Sequence, residues 1–573
     1  MLPADEKAKP AESSTPTAEQ QLRAELVKRF DALKSERSQW LTNWEEIAEH
    51  MRPRGFRKQR SDANRGDKKH NKVINFTPLK AARTLASGMM SGITSPSRPW
   101  FRLTVSGSPE VTEAPKVKEW LSASERVMRE DLAKSNVYKV LHLVYADLGP
   151  FGTSAILIDE DEEDGCRAYN FPVGSYVLAT SARGDVDTLF REVSLTVKQV
   201  VQMFGIEKCG LGVRRLFEEK KFDTRVDIIH AIMPNDAHKP GAIGADGKPW
   251  LSCWWEVAAG AEAGLLRRSG YEERPLMAPR WEVTGEDTYG HGPGFAALGD
   301  CKALQLLERR SAQAMDKIVN PPMAAPTAAG TGIIDLAPGK TSFVDGLGAG
   351  QAIRPVMELN PNVITIFDAK VQRHELRVRE AFFADLWLML SEGGAPQMTA
   401  REVQERREEK LLQLGTVLEA LQDELLDPLI DRLFGIALRR GRIPPPPEEL
   451  QGKDLKVEYV SIMASAQKLL SVTGIERIAT FTGNLAALAP DVLDKLDLDQ
   501  LVDELADSLG VPPAIIRPDE AVAALRQARA KAQQQQAQTE QAVQAAQAAK
   551  TLSETDTEGT NGLTEMLRGA GVR

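Results

Sequence analysis

Two long helical patterns bracketing a stretch with no interior of its own constrain this 573-residue chain more than any other feature. Phe295 to Val319 reads as one continuous helix, opened by Gly290-His291-Gly292-Pro293-Gly294 and closed by Asn320-Pro321-Pro322. About 25 residues, each advancing about 1.5 Å, make a rod of roughly 38 Å. A second rod is predicted from Val363 to Leu390. Between them, Met323 to Pro361 is rich in Gly, Ala and Pro and lacks the apolar periodicity that a core requires. Such an insertion must bury its surface against neighbouring copies, so the pattern predicts a subunit of an assembly.

The flanking segments supply ordinary cores. Leu22, Leu26, Phe30, Leu33, Leu41, Trp44, Ile47 and Met51 recur near the helical period and predict a helix over Glu19 to Met51, stopped by Pro53. Further helices are expected over Asn75 to Gly92, after Pro115, and over Val137 to Leu148. From Phe151 to about Ile232 the texture is that of strands, including a hairpin whose turn is Asp159 to Gly165. After the break Ser391 to Met398, Thr399 with Glu402 forms a capping-box pattern for a long helix to about Leu426. Another helix follows Pro428 to Arg440, ended by Gly441 and four prolines, and a short strand lies at Leu455 to Val460. Met1 to Gln20 reads as a disordered arm; Ala521 to Leu552 is Ala/Gln-rich with too few large apolar residues for a core, and reads as a solvated helix stacked among copies or as a disordered tail, the helix being favoured.

Chemistry is sparse. Four cysteines stand far apart with no CxxC pair, and seven histidines form no HExxH, so zinc, thiol-redox and disulfide frameworks lack support. The six carboxylates Asp159 to Asp164 do not fall at the offsets of a calcium loop. Gly339-Lys340-Thr341 imitates the end of a phosphate loop, but Ile334 stands where the first glycine belongs. The glycines 290, 292 and 294 open a helix without the βαβ frame of a nucleotide fold. No cofactor, metal or catalytic residue is assigned, and no run of 18 apolar residues suggests a membrane span. Arg52 to Lys72 carries nine Lys/Arg against two Asp; it reads either as a contact for DNA or as a solvated loop. A net charge of −9 argues against a protein that grips DNA and leaves room for one that DNA slides through.

Several blocks recur together in a known order. Glu286-Asp287-Thr288-Tyr289-Gly290-His291-Gly292-Pro293-Gly294, then Ala297-Leu298-Gly299-Asp300 and Asn320-Pro321-Pro322-Met323, resemble the head-to-tail connector (portal) proteins of short-tailed bacteriophages. So do Tyr145 to Thr153, Arg379 to Leu386, Met398 to Val403, Glu424 to Ile430, and Tyr459 to Gln467. The resemblance covers roughly residues 20 to 480.

It implies an α+β, elongated subunit with a wing, a two-helix stem, a clip, a tunnel loop and a helical C-terminal crown or barrel, assembling into a dodecameric ring. On this sequence the arm is 1–20, the wing 21–290, the first stem helix 291–319, the clip 320–362 and the second stem helix 363–390. The tunnel loop is then 391–398, the long wing helix and return strand 399–480, and the crown or barrel 481–573. The implied function is non-enzymatic: a conduit and gate for double-stranded DNA at one capsid vertex. Implied partners are the large terminase subunit, tail and adaptor proteins, and capsid and scaffolding proteins, with no membrane. The expected location is the virion, with the host cytoplasm during assembly; the alternative is a tail-tube or adaptor ring. Channel-facing candidates on the stem are Arg309, Arg310, Lys317, Arg373, Arg377 and Arg379, which are equally readable as intersubunit partners of Glu308, Glu375 or Glu380. Tunnel-loop candidates are Glu392, Gly393, Gly394, Ala395, Pro396 and Gln397.

Overall fold

The computed structural model describes residues 17–58, 69, 72–106, 111–112, 114–260, 264–326, 335, 337–344, 354–355, 360, 362–387, 414–450, 452, 455–459, 478–485, 497, 499–502, 505 and 519–553. The chain divides into two compact units, residues 1–464 and 465–573.

In the first unit, α1 (Ala18–Met51) opens on a Thr17/Gln20 capping box and buries Leu26, Phe30, Trp44, Ile47 and Met51. The same face carries Arg37, whose guanidinium donates to the carbonyls of Gly174 and Tyr176, each at 2.7 Å. Helix α2 (Thr77–Gly92) follows, then β1 (Phe101–Val105), α3 (Pro115–Lys134) and α4 (Val137–Phe151). Helix α4 runs three residues past the expected Leu148, through Pro150. It closes on Gly152 in the left-handed conformation (φ 72°).

The strand-rich region is as predicted in kind. β2 (Ile156–Asp161), β3 (Gly165–Asn170), β4 (Tyr176–Thr180) and β5 (Val186–Thr196) come first, then β6 (Arg225–Pro234), β7 (Trp250–Glu256), β8 (Arg267–Tyr271) and β9 (Leu276–Met277). They form an antiparallel five-stranded sheet, β4-β5-β6-β7-β8, and a three-stranded sheet, β3-β2-β9. Two helices interrupt the expected run of strands, α5 (Val197–Phe204) and α6 (Leu211–Glu218). Each is only eight residues, too short for periodicity to announce itself. Val197, Val200, Phe204 and Val213 fix them by packing on Val226, Ile228 and Trp254 of the sheet.

The paired rods are present. α7 (Pro293–Val319) starts two residues before the expected Phe295, because Pro293 is pre-set for a first helical turn. The insertion after it is less bare than predicted: β10 (Met323–Pro326), β11 (Thr341–Val344) and β12 (Arg354–Pro355) pair in the order β11-β10-β12. Among its described residues the buried members Ala324, Ala325 and Ser342 are all small, and backbone pairing joins these strands. The second rod is interrupted rather than continuous. α8 (Asn362–Ala381) breaks at a turn in which Phe383 takes φ 52°, residues 384–387 are helical again, and 388–390 lie outside the described residues.

Pro428 does not separate two helices. α9 (Gly415–Leu421) continues through a π-helical turn, Gln422–Leu426, into α10 (Asp427–Arg439). The widened turn lets the rod pass a residue that cannot donate an amide hydrogen bond. β13 (Leu455–Tyr459) returns to pair antiparallel with β1. In the second unit, α11 (Asp519–Ser553) is a 35-residue helix, exposed along almost all of its described side chains.

Candidate functional site

Helices α7 and α8 pack side by side as a two-helix layer with two unlike faces. Inward go Ala297, Cys301, Leu304 and Gln305 of α7 and Val378 of α8, all buried, toward α1, α2 and α4. Residues three, four and seven apart share a helix face, so the side of α7 away from those residues carries Leu306, Arg310 and Lys317, with Leu307 at its edge. The flank of α8 beside it carries Lys370, Arg373 and Arg377, with His374, one turn from buried Val378, at the edge of the buried face. Between these two rows lies a cleft of about 310 Å³ lined by Leu306, Leu307, Lys370, Arg373, His374 and Arg377. Its acid is Asp300, which meets His374 Nδ1 at 2.6 Å and the Arg377 guanidinium at 3.5 Å.

Four of the six cationic candidates, Arg310, Lys317, Arg373 and Arg377, therefore share the outer face. Arg309 is exposed on a flank. Arg379, two residues past Arg377, points elsewhere and its Nε donates to the Glu375 carbonyl at 3.4 Å. Two of their three suggested acidic partners, Glu308 and Glu375, accept hydrogen bonds inside the chain from a neutral amide, which leaves their charges uncompensated by it. Asn75 Nδ2 donates to Glu308 Oε1 and to Glu375 Oε1, both at 2.8 Å. Gln305 completes this buckle: its Oε1 accepts from the amides of Ile74 (2.6 Å) and Asn75 (2.8 Å), and its Nε2 donates to the Asn75 carbonyl (2.8 Å). Asn75 and Gln305 were not singled out by sequence. The one local signal was an Asn two residues ahead of the helix-opening Thr77, whose amide donates to Asn75 Oδ1 at 2.9 Å. The tunnel-loop candidates Glu392, Gly393, Gly394, Ala395, Pro396 and Gln397 lie outside the described residues, as does most of the clip.

The glycine cluster is a packing device. A Cβ on Gly294 would stand 2.1 Å from the Pro150 carbonyl oxygen, and one on Gly292 2.5 Å from that of Gly149. The end of α4 lies backbone-to-backbone against the start of α7, which leaves an anion no room at the glycines. The acidic hairpin is likewise absorbed. Asp161 accepts from the amides of Glu163 and Asp164 and from Arg167 Nε (2.9 Å), which hold its carboxyl down to about 2. Arg439 bridges Glu160 and Glu273, and Arg440 donates to the carbonyls of Asp161 and Glu162. Among the described residues no group of three or more His, Cys, Asp or Glu is placed to hold a metal.

The basic run is partly neutralised by α1 and α4: Lys58 meets Glu45 at 2.5 Å and Lys72 meets Glu49 at 2.8 Å, both on α1, and Arg52 meets buried Asp147 of α4 at 2.5 Å. One Ser–His contact, His230 Nε2 to Ser252 Oγ at 2.9 Å, lies buried in the large sheet. Arg191 Nε donates to His230 Nδ1 at 3.0 Å, so the ring proton sits on Nε2 and faces the serine. Burial holds His230 well below the ordinary imidazole value. The imidazole thus gives Ser252 a proton donor where a nucleophile needs a base.

A family model described as "Bacteriophage head to tail connecting protein" matches residues 23–516. The chain belongs to that family. It is 42% identical over 548 residues to the "Portal protein" of Salmonella phage epsilon15, covering 96% of this chain and 98% of that one. It is 41% identical over 551 residues to the "Probable portal protein" of Bordetella phage BPP-1, covering 96% and 99%. This connector is a structural, non-enzymatic phage protein, and connectors of this family are oligomeric, capsid-associated components of the virion. Among the described residues no helix is long and apolar enough to cross a membrane.

Proposed function

We propose that twelve copies of this connector form a portal ring at one capsid vertex, through which double-stranded DNA is packaged and later ejected. The ring serves as the platform for the large terminase subunit and afterwards for tail and adaptor proteins. The observation that carries the reading is the α7–α8 rod pair, apolar toward its own subunit, with Arg309, Arg310 and Lys317 on the part of α7 that leads into the insertion. In a ring each side chain repeats once per copy, so Arg309, Arg310 and Lys317 become three belts of positive charge on the clip-ward half of the stem. None of the three makes an ion pair among the described residues, which leaves them free for phosphate. Belts on an otherwise acidic protein hold DNA weakly enough for it to slide. In the same reading the insertion 320–362 is the clip, 391–398 the tunnel loop, and α11, with no large apolar face, one helix of a C-terminal crown or barrel.

Native mass measurement with electron microscopy tests the proposal. The expected result is a ring near twelve subunits with an axial hole. Loss of genome packaging by rings that carry Arg309→Glu, Arg310→Glu and Lys317→Glu, with assembly intact, supports the channel assignment. A persistent monomer, or a ring that packages normally with all three charges reversed, overturns it.

A further inference from the structure

The segment 74–77 is fastened to the stem in a way that displays an aromatic side chain. Gln305 grips the backbone of Ile74 and Asn75, and Asn75 reaches Glu308 and Glu375. The next residue, Phe76, is held by its neighbours yet stands 68% exposed, and Ile74 is 48% exposed. Leaving a phenylalanine in water on a tethered segment forgoes the burial that would otherwise stabilise it. This knob lies on the Gln305/Glu308/Glu375 side of the α7–α8 layer. The cleft lined by Leu306, Leu307, Lys370, Arg373, His374 and Arg377 opens on the opposite side.

A closed ring is built from heterologous contacts, in which one face of a subunit meets a different face of the next. Knob and cleft satisfy that requirement, and their chemistry is complementary. The knob side carries Glu308 and Glu375; the cleft side carries Lys370, Arg373 and Arg377 around 54%-exposed Leu306. A cleft walled by guanidinium groups and leucines suits an aromatic ring, through apolar burial and cation–π attraction. We propose that Phe76, with Ile74, seats in the α7–α8 cleft of the adjacent copy of this chain. Arg373 and Arg377 are then intersubunit residues that face the neighbour's Glu308 and Glu375, not channel residues. This rests on the ring reading above.

Paired cysteines test it in the full-length protein. Phe76→Cys with Leu306→Cys, oxidised after assembly, yields a ladder of covalent multimers on a non-reducing gel, and neither single variant does. The two positions lie on opposite sides of the α7–α8 layer, and a ladder of multimers reports only disulfides formed between copies. The four native cysteines are buried and do not compete. In parallel, Phe76→Glu raises the protein concentration at half-assembly by roughly thirtyfold or more, as loss of an aromatic anchor does; Phe76→Leu changes it far less. Unchanged circular dichroism controls for folding. A wild-type ring together with no ladder and unaltered assembly of Phe76→Glu overturns the knob-and-cleft contact alone. Wild-type protein that stays monomeric overturns the ring reading and this contact with it.

Discussion

The end of the second rod is set by one indole, and its removal has a sign that separates two physical effects. Trp387 lies in a groove cut into α2 by Gly88 and Gly92, one helical turn apart. A Cβ on Gly88 would stand 2.3 Å from both Cγ and Cδ2 of the ring, and one on Gly92 2.8 Å from its Cζ3. The ring is 6% exposed, and Phe382 nearby in sequence is fully buried, so it has nowhere to retreat. Helix propensity by itself makes Gly88→Ala stabilising by about 1 kcal/mol. Overpacking opposes that with about 1–3 kcal/mol. With a contact as short as 2.3 Å the cost falls toward the upper end of that range, so Gly88→Ala loosens α2 by up to about 2 kcal/mol, up to roughly a thirtyfold loss of amide protection. Trp387→Ala costs more, about 3–5 kcal/mol. In the double variant the clash is gone, so adding Gly88→Ala to Trp387→Ala raises protection. Hydrogen exchange over residues 77–92 for the four proteins of this cycle provides the measurement. Increased protection from Gly88→Ala in both backgrounds would refute the groove argument, since propensity would then be the sole effect.

Other outcomes follow from the same contacts. Gly294→Ala drives a Cβ to 2.1 Å from a backbone oxygen, which no rotamer relieves; the protein is expected to be insoluble or to lose over ~3 kcal/mol, and normal melting would contradict the close-packing reading. Asp161 is held down to about 2, first by the Asp164 amide and then by Arg167. Its folded value lies below the ordinary aspartate value of about 3.9, so its contribution is complete above that value and is lost as pH falls through about 2. Carboxyl NMR of Arg167→Ala should move the Asp161 midpoint part of the way back up, and an unmoved midpoint counts against the ion pair. Burial pushes the thiols of Cys253 and Cys301 up to about 12 and Cys209 up to about 11. A thiol reagent at neutral pH should therefore label none of the buried cysteines until denaturant is added; stoichiometric native labelling would show the interior to be open.

Local rules carried the sequence a long way. The 3.6-residue recurrence from Leu22 to Met51 gave α1 within a residue, and the hairpin β2–β3 formed, although Asp159 to Asp161 and Gly165 pair in the strands and only Glu162 to Asp164 make the turn. That the chain spells no metal or nucleotide motif was equally legible, because those chemistries need fixed residue types at fixed spacing. Local rules failed wherever a partner distant in the chain made the decision. α8 ends early because Phe382, Phe383 and Trp387 find seats on other elements, and Pro428 is passed because a π turn absorbs it.

The sequence alone determined the long helices and the hairpin strands, that the rods flank an insertion built of small residues, and that no catalytic motif is written along the chain. Tertiary structure decided which side of each rod is buried, and hence which arginines share a face. It also decided that Glu308 and Glu375 answer to Asn75, a residue 300 positions from Glu375. The reason is physical: periodicity fixes angles around one helix axis, whereas the partner of a polar side chain is chosen by whichever backbone the packed core brings within about 3 Å of it.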